Sequence, residues 1–224
     1  MQAFTFLAHG VLFDLDGTLV DSAPDLAGAA NYLREERGLA PLALSDLRPF
    51  ASHGAAALIG AALGLDSAHP EFADLRQEFL DYYASHSTMH SILFEGVAQM
   101  LEELDAQNMP WGIVTNKHSR FTQHVVAHFG FDARAKIIVS GDTLAHAKPH
   151  PAPLLHAATH MQVAPSQLMY VGDDVRDIQA ARAAQFGAAI AVSYGYGERA
   201  ELPSWAADAV LDCPSQLTTL LQIN

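Results

Sequence analysis

The sequence contains a single cysteine, Cys213, so an intrachain disulfide is impossible and a thiolate-built metal centre is excluded. Basic residues are also scarce. Twelve Lys and Arg stand against 25 Asp and Glu, a formal net charge of −13 over 224 residues. A field of that sign repels polyanions, so no nucleic acid and no membrane surface is expected as a partner. No apolar run approaches the roughly 18 residues of a membrane span. The patch Phe4 to Leu7 is too short for a secretion signal and lacks the flanking positive charge. The chain is expected in the cytoplasm and, with no coiled-coil repeat to read, as a monomer or homodimer. What the sequence does have is apolar content: 50% hydrophobic against 17% charged residues, enough to bury a substantial core. The length suits one domain carrying a small accessory one.

Four short apolar runs each stop on a polar cluster. Gly10-Val11-Leu12-Phe13 ends at Asp14-Leu15-Asp16-Gly17-Thr18, and Trp111-Gly112-Ile113-Val114 ends at Thr115-Asn116. Ile137-Ile138-Val139 ends at Ser140-Gly141-Asp142, and Met169-Tyr170-Val171 at Gly172-Asp173-Asp174. Runs of that length bounded by turn residues read as buried strands. Helical spacing fills the intervals near 95–108, 119–129, 151–161 and 175–186. The alternation predicts an α/β fold, a Rossmann-like parallel sheet with helices on both faces. In such sheets function collects at the carboxyl ends of the strands, where all four polar clusters fall. Residues 21–88 break the pattern, with helical spacing in 24–37, 53–64 and 71–86 and no strand signal. They predict an all-helical domain inserted into a core made of 1–20 and 89–224. The tail adds short strands at 188–192 and 209–211 and a closing helix near 215–222.

Alone, Asp14 and Asp16 resemble any solvated pair of loop carboxylates. Here an apolar strand delivers them, and Gly17-Thr18 lets the backbone turn tightly around a bound group. Thr115, at the end of the next core strand, offers a hydroxyl and a backbone N–H to a phosphate oxygen. Lys148, before Pro149, and Asp173, after Gly172, complete a set of one cation and several carboxylates. Asp174 is expected to cap the following helix, and Lys117 to be a solvated neighbour. His118, His124 and His128 share related faces of one helix at a spacing that suits zinc, but no Cys or carboxylate partner stands near them in sequence.

Asp14-x-Asp16-Gly17-Thr18, Thr115-Asn116-Lys117, Lys148-Pro149-His150-Pro151 and Gly172-Asp173-x-x-x-Asp177 resemble, in order and placement, the four motifs of haloacid dehalogenase superfamily phosphatases. The resemblance spans almost the whole chain. It implies a magnesium-dependent phosphomonoester hydrolase acting on a small phosphorylated metabolite. Asp14 would be the nucleophile, and Asp16 would protonate the leaving alkoxide and then deprotonate water. Mg²⁺ would be held by Asp14, the Asp16 backbone carbonyl and Asp173. Asp177 would orient the metal's waters or Lys148, unless it serves only as a favourable charge at a helix N-terminus. Lys148 would offset phosphoryl charge, and Thr115 and Asn116 would donate hydrogen bonds to it.

The resemblance also makes the helical insert a cap, with Arg48-Pro49-Phe50-Ala51-Ser52-His53-Gly54 as its substrate-contacting loop. Arg48, Ser52, His53 and Gly54 are its specificity candidates. The alternative is that Arg48 makes a local salt bridge and His53 caps a helix. Two branches are similar. Phosphoglycolate phosphatases share the stretch 16–24, Val-Thr-Asn-Lys at 114–117 and Tyr-Gly-Tyr at 194–196. N-acetylmuramic acid 6-phosphate phosphatases share Ser52-x-Gly54, Trp111-Gly112 and Gly-Asp-Asp-x-Arg-Asp at 172–177. Another sugar phosphate is a further alternative. A phosphomutase would need cap groups that shield the phospho-enzyme from water and re-bind the intermediate, and the paired pattern of Arg and Ser expected for that is not the one in 48–54. A non-catalytic binding protein would have lost one of the four motifs.

Overall fold

The computed structural model describes residues 6–222. Phe4 and Thr5 of the apolar N-terminal patch lie outside the described residues. The chain opens with β1 (Phe6–Leu7), β2 (Gly10–Phe13) and β3 (Val20–Asp21). It continues through α1 (Ala23–Glu35), α2 (Leu44–Leu47), a 3-10 turn at Arg48–His53, α3 (Gly54–Leu63) and α4 (Phe72–His86). After β4 (Ile92–Leu93) come α5 (Val97–Ala106), β5 (Trp111–Val114), α6 (Ser119–His128), β6 (Ile138–Val139) and α7 (Ala152–Met161). The remainder is β7 (Leu168–Gly172), α8 (Val175–Ala183), β8 (Ala188–Val192), β9 (Ala209–Leu211), α9 (Gln216–Leu220) and β10 (Leu221–Gln222).

The described chain forms two compact units. One comprises the chain up to Val20 and from Leu93 onward; the other is Asp21–Ile92. In the first, six strands form one sheet in the order β6-β5-β2-β7-β8-β9, every pairing parallel. The chain starts at the middle strand, β2, builds outward to one side through β5 and β6, and then to the other through β7, β8 and β9. The order therefore reverses beside β2, and Asp14 follows that strand directly. Strands β2, β5, β7 and β8 are buried at every residue, as a sheet covered on both faces requires. Alternate residues serve opposite faces. Val11 and Phe13 join Trp111, Ile113, Met169 and Val171 in one core cluster. Leu12 joins Val114, Leu168 and Tyr170 in the other, with Leu154 and Ala157 of α7 and Ile178 of α8. Each such fully buried aliphatic or aromatic side chain contributes about 1.5–3 kcal/mol.

Two features differ from the sequence expectation. The closing helix stops at Leu220, because Leu221 turns extended and β10 pairs in parallel with β1, Leu221 opposite Phe6. Backbone partners supplied from the far end of the chain override the local helical pattern. The polar break at 48–54 is itself ordered, as the 3-10 turn running into α3.

In the second unit, α1 packs against α3 and α4; Leu26, Ala30 and Leu33 of α1 are buried, as are Leu58 and Ile59 of α3 and Leu75 and Phe79 of α4. The sequence boundary at 88 falls just past α4, whereas this unit runs on to Ile92. The reason is Asp25, buried on α1. Its carboxylate accepts from the backbone N–H groups of His90 and Ser91, both at 2.9 Å, and from the Ser91 hydroxyl at 2.6 Å. A buried carboxylate must be satisfied, and these bonds tie 90–91 to the helices.

Candidate active site

The sheet brings the strand-end clusters to one edge. Asp14 continues the ladder, its N–H donating to Val171 O at 2.9 Å. Its Oδ1 receives the Leu15 N–H at 2.7 Å and Lys148 Nζ at 3.0 Å. Among the described residues Oδ2 receives no hydrogen bond. Gly17 sits at φ +84°, and a Cβ there would collide with the Asp173 carboxylate, so both backbone sign and space require glycine. That turn lets Thr18 Oγ1 donate to Asp173 Oδ1 at 3.1 Å, while the Tyr196 N–H donates to Asp173 Oδ2 at 2.9 Å. Gly195 is pressed against the same carboxylate, so Asp173 is boxed in from three sides.

Lys148 is 4% exposed. Its Nζ lies 3.0 Å from Asp14, 2.7 Å from Asp177 and 2.8 Å from the Tyr170 hydroxyl, which itself donates to Val114 O. Asp177 also accepts from the Asp174 N–H at 3.0 Å, half of a capping box on α8. Asp174 takes the other half: it caps that helix and grips the Arg176 guanidinium at 2.7 Å through both oxygens. Oxygens of Asp14, Asp173 and Asp177 lie within 4.8 Å of one another, among the described residues the one such group of three or more possible metal ligands. His124 and His128 of α6 belong to no such group, nor does His118 just before the helix, which instead pairs with Asp142 at 3.1 Å.

Three carboxylates around one ammonium leave a deficit of positive charge. Burial pushes the Asp14 carboxyl up to about 7, with Lys148 opposing and Asp177 adding to the rise. Burial drives Asp173 well above its ordinary range, reinforced by Asp14 and Asp177. For Lys148 burial acts downward, but Asp14 and Asp177 outweigh it and the ammonium is held above its usual value. An all-oxygen, electron-rich donor set of this kind fits a hard divalent cation such as Mg²⁺.

A pH dependence follows. Without metal, Asp14 keeps its proton to about pH 7 in the folded state but only to about 3.8 when unfolded. The folded state binds more protons in that window, so stability falls as pH rises through it. Asp173 shifts in the same direction, and the Lys148 contribution is constant there because its window lies higher. Metal-free melts should therefore decline between pH 5 and pH 7.5, and Mg²⁺ should recover the loss at pH 7.5. Melts flat with pH and indifferent to Mg²⁺ would contradict this electrostatic account.

Several residues stand differently from expectation. The Thr115 N–H is spent in the sheet, on Val139 O at 2.9 Å, so only the hydroxyl remains for a ligand. That hydroxyl accepts from the Lys117 N–H at 3.1 Å and keeps its own proton to donate. Asn116 turns its amide on the backbone of Lys148, donating to its carbonyl and accepting from its N–H, both at 2.9 Å. Its side chain thus joins two strand-end loops. Lys117 is not a solvated neighbour. Its side chain is 6% exposed and lies 3.0 Å from Asp16, which is itself 18% exposed. The sequence held one hint of this: a chain with so few cations set one within a polar strand-end cluster. Tyr170 and Tyr196 were missed because their polar contacts arise only from packing.

In the helical unit, Arg48 forms an ion pair with Asp21 at 2.7 Å, 27 residues away. Ser52 and His53 lie in the 3-10 turn, His53 at the start of α3 without a side-chain capping bond, and Gly54 adopts φ +75°.

The haloacid dehalogenase-like hydrolase family model matches residues 11–191. A phosphoglycolate phosphatase of Xanthomonas campestris is 45% identical over 93% of this chain and 94% of its own. An N-acetylmuramic acid 6-phosphate phosphatase of Pseudomonas aeruginosa is 39% identical over 94% of this chain and 93% of its own. A crystal structure described as a predicted phosphoglycolate phosphatase from Haemophilus somnus superposes with a TM-score of 0.85 at 29% identity, covering 96% of this chain and 98% of that one.

Proposed function

Given that this chain belongs to the haloacid dehalogenase-like hydrolase family and is a phosphatase, we propose that it hydrolyses phosphomonoesters through a covalent phosphoryl adduct on Asp14. The observation that carries this reading is the asymmetry of that carboxylate. Lys148 and the Leu15 N–H both hold Oδ1, which leaves Oδ2 to attack phosphorus in line with the leaving oxygen. Asp16 gives a proton to the departing alkoxide. It then takes one from water, which attacks the adduct and releases phosphate with Asp14 restored. Lys148 and the Thr115 hydroxyl meet the charge gathering on the equatorial oxygens. Mg²⁺, held by Asp14, Asp173 and the Asp16 main-chain carbonyl, supplies further charge neutralisation when bound. Asp177 and Asn116 keep Lys148 in place. The helical unit 21–92 is proposed as a cap, with Arg48, Ser52, His53 and Gly54 choosing among leaving groups. A cytoplasmic location and a monomeric or homodimeric state complete the proposal; among the described residues no helix is long and apolar enough to cross a membrane.

For the substrate we propose 2-phosphoglycolate, supported by relatives of that name at 38–45% identity. The second reading, N-acetylmuramic acid 6-phosphate, is supported by relatives of that name at 38–39%. Assayed side by side, 2-phosphoglycolate should lead in kcat/KM by about tenfold or more, which is ~1.4 kcal/mol of transition-state preference. EDTA should abolish both activities. The reverse preference would transfer the proposal to the amino-sugar phosphate, and full activity in EDTA would remove the metal from it.

A further inference from the structure

Lys117 is a buried cation that the proposed reaction leaves unused. The chain has only three lysines, and two of them are buried at this edge of the sheet, Lys148 on Asp14 and Lys117 on Asp16. Lys117 Nζ stands 3.1 Å from Asp16 Oδ1 and 3.0 Å from Oδ2. Straddling both oxygens fixes the plane of the carboxyl group as well as its position. The lysine is itself firmly seated. Its N–H donates to Thr115 Oγ1 at 3.1 Å, and its carbonyl accepts from the Gly141 N–H at 2.8 Å and the Thr122 hydroxyl at 3.1 Å. The ends of β5 and β6 and the first turn of α6 thus all hold the residue that holds Asp16. Stability does not explain such a pair. A largely desolvated ion pair returns little beyond its own desolvation cost, and an apolar pair of equal volume serves folding as well or better.

We propose that Lys117 is a positioning residue for phosphoryl transfer, acting through Asp16. It holds the Asp16 carboxyl group in the orientation from which a proton passes to the leaving oxygen and, later, from water. This rests on the proposed acid/base role of Asp16, and the test separates the two. Protonating the leaving group matters for an alkoxide, which departs poorly without a proton, and hardly at all for p-nitrophenolate. A group that acts only by positioning Asp16 must inherit that selectivity.

The experiment measures kcat and KM at saturating Mg²⁺ on p-nitrophenyl phosphate and on the better alkyl ester of the panel above. The proteins are Lys117→Met, Lys117→Arg, Asp16→Asn and the Lys117→Met/Asp16→Asn double variant. Lys117→Met should lower kcat on the alkyl ester by about tenfold more than on the aryl ester, within the range general acid–base catalysis supplies. KM on the aryl ester should stay put, and Lys117→Arg should recover part of the loss. The double variant should match Asp16→Asn within roughly twofold, as expected when one residue acts through the other. Equal losses on both esters, a change confined to KM, or losses that multiply in the double variant would each overturn the proposal. If Asp16→Asn is selective for the alkyl ester and Lys117→Met is not, the inference alone fails. If Asp16→Asn shows no selectivity, the acid/base reading fails and takes the inference with it. Should Lys117→Met not fold, Lys117→Gln carries the same comparison.

Discussion

Asp14→Asn is expected to melt at or above the temperature of the parent protein and to lose about 10⁴-fold or more in turnover, some 5 kcal/mol of transition-state stabilisation. The amide keeps the shape of the carboxylate and can still accept from Lys148 and the Leu15 N–H through one oxygen. It also removes a carboxyl whose ionisation burial and the neighbouring Asp177 oppose, from a group of three crowded within 4.8 Å. What it cannot do is form an acyl phosphate. Thermal melts, steady-state turnover and mass spectrometry of acid-quenched wild-type protein check the three parts separately. A phosphoryl adduct on any residue other than Asp14 would sink the assignment, as would an Asp14→Asn protein with more than a trace of turnover.

The second large effect is on stability. Lys148→Met removes the cation that Asp14, Asp177 and the Tyr170 hydroxyl share. Deleting one side of a buried ion pair strands the other, and the expected cost is about 3–5 kcal/mol at neutral pH. The sign of its pH dependence is fixed. Without the ammonium, which opposes the rise, the Asp14 carboxyl moves still further above its unfolded value of 3.8, so the folded variant retains that proton further up the scale. Its deficit should be small at pH 5 and large at pH 8. Urea denaturation at the two pH values checks this, with Mg²⁺ restoring part of the loss at pH 8. A deficit of equal size at both would mean that lost packing, not stranded charge, is responsible.

Much of this was legible in the sequence, for a definable reason. A parallel strand buried on both faces is a short continuous apolar run, and its carboxyl end must return to water, so it stops on polar residues. Gly10–Phe13 and Trp111–Val114 announce themselves that way, and the loops after them carry Asp14 and Thr115. Two-residue strands such as Phe6–Leu7 and Leu221–Gln222 have no periodicity to read, and their pairing joins the two ends of the chain. Which polar groups would gather was therefore readable; which would touch was not. Asn116 on the Lys148 backbone, Lys117 on Asp16, and Asp25 on Ser91 all depend on how loops far apart in sequence settle together. In each case spacing gave no sign of the partner.

The place of β2 in the sheet has a consequence for synthesis on the ribosome. Val11 lies between Trp111 and Met169, so β2 is made well before both of its neighbours in the sheet. At roughly 5–20 residues per second, about 5–20 s separate the emergence of β2 from that of β5, and β7 comes later again. For that interval Gly10-Val11-Leu12-Phe13 is an apolar segment with both edges open. The helical unit, by contrast, is built from the uninterrupted stretch Asp21–Ile92, which is complete before β5 is begun. The nascent chain thus carries an unsheltered hydrophobic segment ahead of a module that already has all its parts. Its exposure to aggregation or to a holding chaperone is concentrated at a segment that ends up buried at every residue.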